Sequence, residues 1–274
     1  MKTFCCWLPG ADCYWSGLAM ILSAITTDPL SERVPRGNLR GQATARLVTG
    51  IISARLRSGQ RLIVQQLAKT FEVSPTPVRE ALVELASLDL VDLLPNRGAV
   101  VRPFGPADVR EISQIRRLLE TEATRSACGR IPPDELSALD LELKRLEFLH
   151  RDQTWDRDAR AADTRLHGLI AECCGNLRLA VEIGRYLVLF RALRDVCHLR
   201  DAGRNYSRAD DVPEHLAIIR PLLQSDAEGA AQAMDSHIRS AAVTIEEVVF
   251  RDRENLEVTR DAEALPEVVN NKQP

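Results

Sequence analysis

From Leu39 onward, apolar residues return at helical spacing. Ala43, Leu47, Ile51 and Ala54 mark a first helix running to about Leu56. Arg57-Ser58-Gly59-Gln60 reads as a turn, and Arg61 to Val64 as a short extended piece. Gln65 to Phe71 is a short helix with Leu67, Ala68 and Phe71 facing inward. Val73-Ser74-Pro75-Thr76-Pro77 breaks that pattern. Ser74 or Thr76 can cap the next helix, and Pro77 suits its first turn. This helix runs to about Leu88, with Val78, Ala81, Leu82 and Leu85 on one face. Leu90 to Leu94 and Ala99 to Arg102 are short β-type runs. Pro95-Asn96-Arg97-Gly98 joins them as a tight turn in which Gly98 is free to take positive φ.

Pro103 and Pro106 bracket a linker, after which only long amphipathic helices follow. The pattern places them at about 106–128, 133–152, 155–174, 177–200, 212–225 and 227–253. The expected fold is mostly α: an N-terminal winged helix-turn-helix with a small β hairpin, then an all-α helical bundle. The expected divisions are a flexible extension over 1–37, a head over 38–104, a helical domain over 105–253 and a flexible tail over 254–274.

Charge sharpens that division. The whole chain carries a formal net charge of -3, yet residues 39–104 hold nine Lys/Arg against five Asp/Glu. A basic head on an acidic body suits a DNA-reading module joined to one with another task. No apolar run reaches the ~18 residues of a membrane span. The seven cysteines are odd in number and include no Cys-x-x-Cys, so reduced thiols in the cytoplasm are expected rather than a disulfide framework. Cys128, Cys173 and Cys174 read as small core residues.

The head offers specific chemistry. A reading helix presents its N-terminal turn to the major groove. Ser74, Thr76 and the free amides of that turn can donate to phosphates. Arg79 can reach a guanine edge with two N–H groups, or pair with Glu80 or Glu84 on its own helix. Arg97 and Gly98, at the wing tip, can approach the backbone or the minor groove. Arg40, Arg46 and Lys69 are basic residues of no specific pattern.

In the body, Asp163 and His167 stand four residues apart on one helical face, and His215 and His237 lie on later helices. One carboxylate with three imidazoles suits a divalent metal ion, Zn, Ni or Mn. The same residues also read as buried histidines bonded to carbonyls and as a simple helical Asp–His pair. Arg116 is the first candidate to clamp a carboxylate, because guanidinium matches that group bidentately; it reads equally as a partner of Glu120. Asn176, Arg191, Arg194 and Tyr186 are further candidates.

The segments Leu67-Ala-Lys-Thr-Phe71, Ser74-Pro-Thr-Pro-Val-Arg-Glu-Ala-Leu-Val-Glu-Leu85 and Pro95-Asn-Arg-Gly-Ala-Val-Val101 together resemble the GntR family of bacterial transcription regulators. The resemblance implies DNA contact at Thr76, Arg79 and Gly98. Pro75 stands where many relatives carry Arg, which alters the expected operator preference. Arg116 to Glu120, the Asp163…His167…His215…His237 pattern and Asn176 resemble the FCD domain of the FadR subfamily. That resemblance implies a divalent metal held by those four residues and a small organic acid beside it. Its other expectations are a homodimer on a double-stranded DNA operator, no membrane association and a role as a repressor. A regulator that senses the metal itself uses the same residues. A helical metalloenzyme is a third reading, but the chain has no His-Glu-x-x-His, P-loop or Gly-x-Ser-x-Gly.

Overall fold

The computed structural model describes residues 38–149, 153–200 and 211–251. The extension over 1–37, the tail over 254–274, His150 and the side chain of His198 lie outside what is described.

The head begins with α1 (Leu39–Ile52), β1 (Arg61–Leu62), α2 (Val64–Phe71) and α3 (Pro75–Ser87). β2 (Val91–Leu94) and β3 (Gly98–Val101) follow. Glu72 takes a left-handed conformation, φ 53°, and closes α2; this forms the tight turn between the two helices. Ser74 is the N-cap of α3 and Pro75 its first residue. Asp89, φ 55°, ends α3 in the same left-handed way.

The wing is larger than a hairpin. β1 pairs antiparallel with β3, giving a three-stranded sheet of order β1-β3-β2. Two residues show no alternation, so β1 reads only as an extended piece in the sequence. The closing pair of the wing is Leu94↔Gly98. Gly98 has φ +91°, and a Cβ there would run into the Leu62 carbonyl.

The body consists of α4 (Pro106–Ala127), α5 (Pro133–Phe148), α6 (Gln153–Cys173), α7 (Leu177–Arg200), α8 (Asp211–Leu223) and α9 (Ala227–Phe250). Its amphipathic stripes bury Leu139, Leu143, Leu166, Ile170, Ile219 and Ile238 in one core. Cys173 and Cys174 are buried and Cys128 half-buried, all as free thiols. No helix among the described residues is long and apolar enough to cross a membrane.

A second core joins the head to the body. Leu47, Val48, Ile51 and Ile52 of α1 share it with Leu189, Phe190, Leu193 and Val196 of α7 and with Val249 and Phe250 of α9. α1 packs against both α3 and α7, and every residue from Gly41 to Ile52 is buried. Burying one large apolar side chain contributes roughly 1.5–3 kcal/mol, so this seam is a substantial attachment.

Candidate metal centre and DNA-reading surface

Asp163 and His167 project from α6, His215 from α8 and His237 from α9. All four are buried, and each offers one ligand atom within 4.8 Å of the others'. The ring centroids of His215 and His237 lie 4.5 Å apart; His167 is 5.8 Å from the first and 5.4 Å from the second.

Two carboxylates orient the imidazoles. His167 Nδ1 lies 2.5 Å from Oε2 of Glu120. Burial of Glu120 works to raise its pKa, but Arg116 and His167 overcome it and bring it down to about 2. An ionised carboxylate only accepts, so Nδ1–H donates to it and Nε2 is the nitrogen left to face a cation. His237 Nδ1 lies 2.8 Å from Glu214 Oε2 in the same manner. Burial above all, with His215 nearby, brings the His237 pKa down to about 4, so its ring is neutral near pH 7.

The Nε2 atoms of His167 and His215 face Asp163 Oδ1 at 3.6 and 3.2 Å. Both nitrogens are buried, and among the described residues neither has a partner in hydrogen-bonding geometry. Buried polar nitrogens without a well-formed hydrogen bond are costly in a folded interior. Three imidazole lone pairs and a carboxylate around one point make an N3O donor set that fits a divalent cation. Arg194 pairs with Asp163 and with Asp211 at the start of α8. Burial works against ionised Asp163, but Arg194, His215 and His167 hold its pKa well below the usual range.

The arginines divide by role. Arg116 is buried; its Nε–H donates to Glu120 Oε1 at 2.6 Å, and its guanidinium lies 3.9 Å from the Phe190 ring centroid. Arg191 has a buried Nε with no hydrogen-bond partner among the described residues. Burial pushes its pKa down, while Asp163 pulls it up and Arg194 and Arg116 push it down further. Asn176 is exposed just before α7, where its Oδ1 accepts from Leu179 N. Tyr186 packs against the core shared by head and body.

Glu120 and Glu214 are the orienting residues that the sequence reading missed. A signal exists for Glu120: Ser113, Arg116, Glu120 and Thr124 form a polar stripe at helical spacing on the buried face of α4.

On the head, Ser74, Thr76, Arg79 and Arg97 are exposed and Gly98 is half-buried. The Ser74 side chain makes no capping bond. Pro75 and Pro77 lack N–H groups, so Thr76 supplies the only amide among the first three residues of α3. Glu84 accepts from Thr44 Oγ1 at 2.9 Å and faces Arg40 Nε at 3.7 Å. It is thus engaged away from Arg79. Arg46 is buried in α1, with its guanidinium 5.6 Å from the Phe71 ring centroid.

A winged helix-turn-helix carrying an exposed arginine on its second motif helix, joined to an all-helical domain, has the layout of a DNA-binding regulator. Residues 39–101 match the model described as bacterial regulatory proteins, gntR family, and residues 111–240 match the FCD domain. The chain belongs to the GntR family of transcription regulators, with an FCD domain as its C-terminal part. The HTH-type transcriptional regulator BphR of Paraburkholderia xenovorans is 28% identical over 221 residues, covering 76% of this chain and 86% of that protein. The HTH-type transcriptional repressor RspR of Escherichia coli is 26% identical over 207 residues, covering 72% and 85%. The solved structure of E. coli McbR/YncC has the same fold, with a TM-score of 0.59 at 22% identity, covering 76% of this chain and 97% of its own. The chain is accordingly a DNA-binding regulator and not an enzyme.

Proposed function

We propose that this chain is a cytoplasmic repressor of the FadR subfamily, acting as a homodimer. Its operator affinity is set by a small organic acid that binds beside a divalent metal ion in the helical domain. One observation carries the reading: the buried Nε2 atoms of His167 and His215, neither in a well-formed hydrogen bond among the described residues, converge on Asp163 beside His237. Asp163, His167, His215 and His237 would hold Zn, Ni or Mn, and the metal would supply a Lewis-acidic point for a carboxylate oxygen.

Arg191 is the better partner for the acid's remaining charge. Arg116 was the first candidate, but its Nε is already committed to Glu120. The buried Arg191 Nε has no such commitment. Asn176 has a helix cap to serve, which leaves it a weaker candidate for the acid.

On the head, Arg79 would read a base edge, and Ser74 and Thr76 would anchor phosphates. Arg97 would enter beside the backbone at the wing, where Gly98 permits close approach. Two copies related by a two-fold axis match a two-fold operator. An acid releases the operator only through unequal affinity for the free and DNA-bound arrangements.

The test is selection of duplexes from a random pool by the purified protein, followed by titration of the selected duplex with a panel of small carboxylates. The expected result is a two-fold symmetric sequence whose binding at least one carboxylate weakens. Binding that every carboxylate leaves unchanged would sink the acid-responsive part of the reading.

A further inference from the structure

Phe190 belongs to two neighbourhoods at once. One side of its surroundings is the seam between head and body: the ring is 2% exposed and shares a continuous apolar core with Leu47, Val48, Ile51 and Ile52 of α1. The other is the guanidinium of Arg116, whose central carbon lies 3.9 Å from the ring centroid. That guanidinium donates through Nε–H to Oε1 of Glu120 at 2.6 Å. The second oxygen of Glu120 accepts from His167 Nδ1 at 2.5 Å. A line of buried groups thus runs from the imidazole of a candidate metal ligand, through its Nδ1, to the core beneath the DNA-reading head.

The geometry points to Glu120, Arg116 and Phe190 as positioning residues that carry the occupancy of the metal centre to the head. This rests on the reading of His167 as a metal ligand.

With a cation held at Nε2, the Nδ1–H of His167 would become the stronger donor and would fix the Glu120 carboxylate. Glu120 holds Arg116 through its other oxygen, so the planar guanidinium is fixed over the Phe190 ring. A ring packed at interior density has no void in which to absorb a shift. Its neighbours in α1 are buried along the whole helix, and α1 packs directly on α3, the reading helix. A rival carrier exists in the backbone of α7. That helix presents Arg194 to Asp163 and Leu193 and Val196 to the shared core. The two routes separate on the Phe190 side chain.

The experiment is hydrogen–deuterium exchange of the α1 amides in the full chain, with and without added zinc ion. Zinc binding is measured in parallel by calorimetry. The variants are Phe190→Leu, which removes the ring face, and Arg116→Lys, which keeps the charge beside Glu120 but loses the planar contact. In the wild type, zinc should alter exchange in α1 by about fivefold or more, the lower end of ordinary coupling between sites. Both variants should bind zinc with near wild-type affinity and lose most of that response. A wild type that binds zinc with no response in α1 would overturn the relay while leaving the metal centre standing. So would variants that keep the full response, which would assign the coupling to the α7 backbone. A wild type that binds no zinc would remove the metal reading and the relay with it.

Discussion

His167 and Glu120, 47 residues apart in sequence and on different helices, are joined by a buried contact of 2.5 Å between Nδ1 and Oε2. The contact sets the tautomer of His167 and thereby turns its Nε2 toward Asp163 and the other two histidines. It also explains why a carboxylate and an arginine occupy a helical face that would otherwise be apolar. Burying that pair is offset only because each member has its partner.

Glu120→Gln keeps the shape of the acceptor but removes the charge that favours a donating Nδ1. Metal affinity is expected to fall roughly 10–100-fold, the usual cost of losing an outer-sphere partner of a ligating histidine. Competition with a chromophoric chelator measures this directly. An unchanged affinity would mean that Glu120 serves only Arg116.

Arg191→Gln separates acid from metal. Metal stoichiometry should stay at the wild-type level, whereas thermal stabilisation by small carboxylates should largely disappear. A hydrogen bond to a charged group contributes about 1.5–3 kcal/mol, so the loss corresponds to roughly tenfold or more in acid affinity. Full carboxylate stabilisation in this variant would return Arg116 or Arg194 to first place.

Arg79→Ala should weaken the selected duplex by about 1–3 kcal/mol, the discrimination carried by one bidentate base contact. Its side chain is exposed, so thermal unfolding should hardly change. Fluorescence anisotropy with the selected duplex and with a scrambled one reads both consequences. Equal weakening on the two duplexes would make Arg79 a phosphate contact instead.

Gly98→Ala tests the wing. Its φ of +91° strains any side chain, and the new Cβ would meet the carbonyl of Leu62, a residue of β1. A loss of about 1–3 kcal/mol in folding stability is expected, as for a residue forced into a sparsely populated backbone region. Denaturant unfolding checks it. A neutral result would show that the pairing of β1 with β3 contributes little.

Much of this architecture was legible in the sequence because it is local. The helical periods that close near Cys128 and Cys174 end in the structure at Ala127 and Cys173, since Pro132, Pro133 and Asn176 punctuate them. Pro95 to Gly98 announced the wing turn. The histidines were legible as a set only through their pattern and the resemblance it carries. What stayed hidden depends on contacts between distant elements. Arg116 and Glu120 show a pair at i,i+4, but not that the glutamate's second oxygen reaches His167. Thr44, Arg46 and Thr49 give α1 a partly polar look, and nothing local says that α7 covers it. β1 is two residues long and owes its existence to β3.

Metal content tests the central claim most directly. The full chain would be purified without chelator and analysed beside His167→Ala and His215→Ala. About one transition-metal ion per chain, lost in both variants, is the result expected of four converging ligands; loss of a folding-coupled ion should also lower thermal stability. A wild type that is metal-free and stays so when divalent zinc, nickel or manganese is supplied would contradict the account.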